Sequence, residues 1–134
     1  MKELKTAGLL VIKNNRLLLT YSKNKKAWYL PGGKIDENET PIDGLIREIN
    51  EELSLGLNKE KLQYFCHISA LAYGENNLQM EQDCFLYDLI EEIKPTNEIE
   101  AIRYFNLNEY QQEEIQVVGV LMVFDELIKN KYLQ

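Results

Sequence analysis

The sequence predicts an α/β fold with a mixed sheet, and three observations carry that expectation. Short runs rich in Leu, Val and Ile recur along the chain, bounded by Asn, Gly or Pro. Segment 41–53 spaces its apolar residues as a helix does, and segment 116–130 does so again. No repeat, linker or composition break divides the 134 residues, so one domain over 1–134 is expected.

Residues 6–12 and 16–21, with Asn14-Asn15 between them, predict a hairpin. Residues 22–27 form a polar, basic loop, and Trp28-Tyr29-Leu30 is a short apolar piece stopped by Pro31-Gly32-Gly33. Thr40 as N-cap, Pro41 at the first helical position and Asp43 in the first turn open a helix that runs to about Leu53. Residues 62–73 and 78–89 predict two long strands joined by a turn at 74–77. If that turn is symmetric, Cys66 and Cys84 face each other across the hairpin, and free thiols are expected. After Pro95, residues 99–105 predict another strand, and the 116–130 helix closes the chain.

Composition narrows the function. The chain is 45% hydrophobic and 28% charged, which excludes collagen-like and wholly disordered classes. No apolar run approaches the roughly 18 residues of a membrane helix, and no signal-peptide core opens the chain, so a cytoplasmic protein off the membrane is expected. Fifteen Lys and Arg against twenty-two Asp and Glu leave −7, a charge unsuited to a nucleic acid polymer. A metal cation between acid and phosphate would still let such a protein bind a nucleotide. Two cysteines are too few for a disulfide framework, and the single histidine, His67, is given no catalytic part.

On the 41–53 helix, a turn of about 100° per residue places Ile42, Leu45, Ile46, Ile49 and Leu53 on one stripe. Glu48, Glu51 and Glu52 share another face. Like charges at these spacings cost roughly 0.2–0.5 kcal/mol per pair, and neither Gly44 nor Leu55, one turn away, relieves them. Three glutamates on a surface helix are ordinarily a solvated acidic face. They also suit Mg²⁺, which takes a few carboxylates and keeps positions for substrate phosphates.

The flanking residues decide between the two. Residues 33–55 resemble the signature of the Nudix hydrolases, Gly-x5-Glu-x7-Arg-Glu-U-x-Glu-Glu-x-Gly-U, where U is bulky and aliphatic. Gly33, Glu39, Arg47, Glu48, Ile49, Glu51, Glu52 and Leu55 fall in place. Ser54 stands where the family has Gly, a residue that ends helices cheaply, and Gly56 is expected to take over part of that task. The resemblance implies a Nudix-type α/β/α sandwich.

It also implies an enzyme that hydrolyses a phosphoanhydride with a water nucleophile and Mg²⁺, or Mn²⁺ in its place. Glu48 and Glu52 would be the main metal ligands, Glu51 a further ligand or the base, and the Gly33 carbonyl another ligand. Arg47 and Glu39 would position these carboxylates. Glu98, preferred to Glu100, would be a catalytic carboxylate outside the signature, as a further metal ligand or as the base. The run Trp28-Tyr29-Leu30-Pro31-Gly32-Gly33-Lys34 is similar to the MutT-like branch, which cuts nucleoside triphosphates to monophosphate and pyrophosphate. Lys34, Lys23, Tyr21 and Trp28 are the expected substrate contacts, with Lys25 and Lys26 as substitutes for Lys23. Tyr73 and Phe85 are further stacking candidates. Other readings are a Nudix hydrolase of ADP-ribose, nucleotide sugars or dinucleoside polyphosphates, and a non-catalytic nucleotide-binding module. The partner is then a nucleotide, and the protein a monomer or homodimer.

Overall fold

The computed structural model describes residues 2–95 and 99–134. Among the described residues eight strands form two sheets: β1 (Lys2–Leu10), β2 (Ile12–Lys13), β3 (Arg16–Ser22), β4 (Ala27–Tyr29), β5 (Gly32–Lys34), β6 (Gln63–Leu71), β7 (Leu78–Leu86) and β8 (Ile99–Phe105). The helices are α1 (Pro41–Leu53), α2 (Leu107–Tyr110) and α3 (Val118–Lys129), with a 3₁₀ turn at Lys59–Lys61. The first sheet has the order β5-β1-β7-β6; β1 and β7 are parallel and the other pairs antiparallel. In the second, β8 runs along one edge of β3, while β2 and β4 share the other. Among the described residues no helix is long and apolar enough to cross a membrane.

Strand alternation places the two long helices on opposite faces of the first sheet. Ala7, Leu9 and Phe85 pack with Leu45, Ile49 and Leu53 of α1. Their neighbours Leu10 and Cys84, with Ile68, pack with Val120, Val123, Phe124 and Leu127 of α3, joined by Leu17, Leu19 and Phe105 of the second sheet. Leu45, Ile49 and Leu53 are fully buried, each contributing roughly 1.5–3 kcal/mol of transfer free energy. The mixed sheet between helices agrees with the α/β expectation.

The predicted hairpin is the main correction. Asn14 and Asn15 do turn, both left-handed at φ 52° and 62°, as a two-residue hairpin demands. Yet only Ile12–Lys13 pairs with β3, at Leu17 and Arg16. Residues before Val11 pair with β7 instead, from Lys2 opposite Leu78 to Leu10 opposite Leu86. The continuous apolar run Leu9-Leu10-Val11 is buried on both faces, as a strand inside a parallel pair requires. The β6–β7 hairpin keeps the expected register, with Cys66 opposite Cys84 and both free.

Helix α1 starts as its residues prescribe: the Thr40 hydroxyl accepts from the Asp43 N–H at 3.1 Å, behind Pro41. Its end differs from expectation. Ser54 itself takes the left-handed conformation, φ 52°, and its N–H donates to the Asn50 carbonyl at 3.1 Å, so Gly56 does not take over. A residue with a Cβ pays about 1 kcal/mol there. Ser54→Gly is therefore expected to raise stability by about 1 kcal/mol, less the added chain entropy. A melting temperature at or below wild type would remove strain from this account.

Candidate active site

Helix α1 lies against β1 and β5, which sets its acidic face beside the Gly32–Lys34 strand. Arg47 organises that face. Its Nε and Nη2 donate to the two oxygens of Glu39 at 2.8 and 2.9 Å, a bidentate pair. Nη1 reaches Glu48 at 3.1 Å and Glu51 at 3.4 Å, and Nη2 also meets the Lys34 carbonyl at 3.0 Å and Asp36 at 3.4 Å. Bonds from Arg47 and from the Asp36 N–H hold the Glu39 carboxyl down at about 2. The acids in turn raise Arg47 above its ordinary value. Burial pushes Glu48 the other way, above the usual carboxylate range, against the pull of Arg47.

Glu52 is held separately: its Oε1 accepts from the Gly32 N–H at 3.1 Å. Gly33 is tighter still, since a Cβ there would lie 2.7 Å from the Glu48 carboxyl carbon. The signature thus collects Glu48, Glu52 and the Gly33 backbone at one place, with Glu51 joined to them through Arg47. Among the described residues no three His, Cys, Asp or Glu side chains converge closely enough to hold a metal ion. Arg47 and the Gly32 N–H engage the glutamates instead. All the donors are nevertheless carboxylate or carbonyl oxygens, a set that fits a hard divalent cation.

A cleft of about 300 Å³ opens from this cluster between the two sheets. Gly32, Gly33, Lys34 and Glu52 line one end; Thr20, Ser22, Lys25 and Tyr29 line the second-sheet wall; Thr6, Met80 and Gln82 line the first-sheet wall. Lys25 bonds Glu75 at 3.0 Å, joining the β3–β4 loop to the β6–β7 turn. Lys34, one of the expected substrate contacts, lies on the cleft lining.

Other expected contacts are elsewhere. Thr20 and Ser22 face the cleft, so Tyr21 between them points to the opposite face of the second sheet. Trp28, opposite Tyr21 in register, goes with it: their rings meet edge to face at 5.2 Å, and Trp28 meets Phe105 at 5.0 Å. Lys23 is exposed and absent from the cleft lining, where Lys25 stands. Of the stacking candidates, Tyr73 lines the cleft and Phe85 is buried beneath α1. Glu98 lies outside the described residues; Glu100 is exposed on β8. His67 bridges Asp83 at 2.8 Å and Glu81 at 2.9 Å, away from the cleft lining. Tyr29, Thr20 and Gln82 were not anticipated from sequence. Alternation along β3 and β4 carries the first two, once the strand pairing is known.

Comparison with known proteins follows the same residues. The family model described as NUDIX domain matches residues 2–121, a span that contains the whole signature. A Francisella tularensis protein named RNA pyrophosphohydrolase is 37% identical over 49 residues, 37% of this chain and 32% of that protein. A Proteus vulgaris 8-oxo-dGTP diphosphatase is 33% identical over 57 residues, 40% of this chain and 51% of that protein. These matches span about a third to a half of the curated relatives. The crystal structure of a MutT NUDIX hydrolase from Burkholderia pseudomallei superposes with TM-score 0.79 at 21% identity, covering 95% of this chain and 99% of that one. With the signature residues gathered around Arg47 and the fold shared from end to end, the chain belongs to the Nudix family.

Proposed function

We propose that this protein hydrolyses a phosphoanhydride of a nucleoside triphosphate, releasing nucleoside monophosphate and pyrophosphate, with Mg²⁺ or Mn²⁺. The observation that carries the reading is the Arg47-held set of Glu48 and Glu51, with Glu52 pinned to the Gly32 N–H, at the end of an open cleft. The relatives named above as RNA pyrophosphohydrolase and 8-oxo-dGTP diphosphatase support the reaction class.

Glu48, Glu52, Glu51 and the Gly33 carbonyl would hold the cation, which when bound neutralises phosphate charge and acidifies water. Arg47 keeps the carboxylates aimed, so that little reorganisation accompanies reaction. Glu51, the more exposed of the Arg47-bound pair at 56% against 19% for Glu48, would be the group that accepts a proton from water. Lys34, on the cleft lining, offers a cation to the polyphosphate.

The test is hydrolysis across a panel of nucleotides with Mg²⁺ or Mn²⁺, in wild type, Glu51→Gln and Glu52→Gln. The expected result is pyrophosphate release from triphosphates, reduced about 100-fold or more in each variant. Turnover of ADP-ribose or dinucleotides alone would keep the family and overturn this substrate. Tight nucleotide binding without turnover would leave a binding module.

A further inference from the structure

Cys66 on β6 and Cys84 on β7 stand directly opposite each other in an antiparallel pair. Opposite positions bring Cα atoms to about 4.5–5.5 Å, inside the roughly 4.4–6.8 Å that a disulfide spans. Both side chains leave the sheet on one face: Cys84 is fully buried in the core beneath α3, and Cys66 packs against that same core. The register shifts between Tyr64 and Cys66, an irregularity that interrupts the ladder beside Cys66. A bond between the two sulfurs therefore needs no slip of either strand. Neither cysteine lines the cleft, so substrate binding does not account for the pair.

The two thiols differ in the properties that govern oxidation. Cys66 is half-buried, within reach of a small solute, whereas Cys84 has no exposed surface. The Cys84 thiol donates to the Cys66 sulfur, which holds Cys66 below the usual thiol range against burial and the nearby Glu126 of α3. The same bond, with burial, pushes Cys84 up, so Cys84 keeps its proton. The Gln82 carbonyl oxygen, 3.9 Å from the Cys84 sulfur, is a second and weaker acceptor for that proton. An accessible sulfur with thiolate character, beside a protected one, suits oxidation of the first and capture by the second.

We propose that Cys66 and Cys84 form a peroxide-responsive pair, in which Cys66 is oxidised first and Cys84 resolves it into a disulfide joining β6 to β7. The Cys66 thiolate attacks one oxygen of hydrogen peroxide, the O–O bond breaks, and hydroxide departs. The proton that Cys66 gave up to solvent is restored on that hydroxide as water. Cys66 is then a sulfenic acid, and the peroxide has been reduced. The Cys84 sulfur attacks the Cys66 sulfur, the S–O bond breaks, and the Cys84 proton leaves with the hydroxyl as a second water. Two thiols and one peroxide thus become one disulfide and two waters. A dithiol reductant reverses the change by exchange. The inference stands whatever the nucleotide substrate is.

The test exposes wild type, Cys66→Ser and Cys84→Ala to hydrogen peroxide at neutral pH, at a dose that consumes free cysteine in a parallel sample. Intact mass, thiol titration and capture by dimedone, a reagent for sulfenic acids, are the readouts. Wild type is expected to lose both titratable thiols and two hydrogens of mass within one chain, and dithiothreitol restores them. Cys84→Ala is expected to stop at a Cys66 sulfenic acid that dimedone captures. Cys66→Ser is expected to keep its Cys84 thiol at least about 10-fold longer than wild type does. Survival of both wild-type thiols overturns the inference, as does a bond between two chains, or a dimedone adduct on wild-type Cys66 with Cys84 still free. Loss of the Cys84 thiol in Cys66→Ser as fast as in wild type overturns it too. The wild-type outcomes hold whether or not either variant folds.

Discussion

Gly32→Ala is expected to cost about 4 kcal/mol or more, a large share of the 5–15 kcal/mol that holds a domain folded. Two effects add. Gly32 has φ +135°, a conformation that a side chain strains by about 1–3 kcal/mol. A Cβ there would also stand 2.1 Å from the Ala7 carbonyl oxygen, an overlap with backbone that only separation of β5 from β1 relieves. Gly33→Ala, one residue on, meets the far end of the Glu48 side chain, which can swing aside. Its stability should stay within about 1 kcal/mol of wild type, while hydrolysis falls about 100-fold with Glu48 displaced. Urea unfolding and nucleotide hydrolysis on the two variants check the contrast. A Gly32→Ala loss below about 1 kcal/mol would show that β5 is not fixed by this contact.

Arg47→Met should lose both activity and stability. Methionine keeps much of the apolar stem and removes the guanidinium that joins Glu39, Glu48, Glu51, Asp36 and the Lys34 carbonyl. With the partly buried Glu48 left unpaired, hydrolysis is expected to fall about 100-fold. Stability should fall by about 2 kcal/mol at pH 7, a figure reduced for solvent screening. Arg47→Lys rescues little, because an ammonium cannot reproduce the bidentate bond to Glu39.

The pH dependence carries a sign. Glu39 is depressed from 4.5 to about 2 in the folded protein, so its pairing stabilises above about pH 4.5 and is lost as pH falls toward 2. The gap in melting temperature between wild type and Arg47→Met should therefore narrow over that window. A gap that stays constant down to pH 2 would place the loss in packing rather than charge.

Local signals carried well from sequence to structure. Thr40 and Pro41 open α1 where they stand, and the turn at 74–77 sets the Cys66–Cys84 register without distant help. The acidic face of α1 also follows from spacing, because helix geometry is local. The pairing of β1 does not: its partner β7 lies far along the chain, and the nearby Asn14-Asn15 turn made β3 look like the natural neighbour. Errors in the site descend from the same source. Which residues of β3 and β4 face the cleft depends on how the sheets stack, so the sequence points to Tyr21 and Trp28 and gives no sign of Thr20 and Tyr29. The Asn106–Glu109 capping box that starts α2 is a local signal of the same kind, carried by residues three apart.

The β1–β7 pair also bears on how the protein is made. Lys2 pairs with Leu78 and Leu10 with Leu86, so β1 leaves the ribosome 76 residues before its parallel partner. At about 5–20 residues per second the run Ala7 to Val11 waits roughly 4–15 s without that partner. Its antiparallel neighbour β5 arrives first, yet it pairs only Thr6 to Gly8. The buried centre of the first sheet therefore closes only once more than half the chain has been synthesised, and until then its most deeply buried strand is open to chaperones or to other chains.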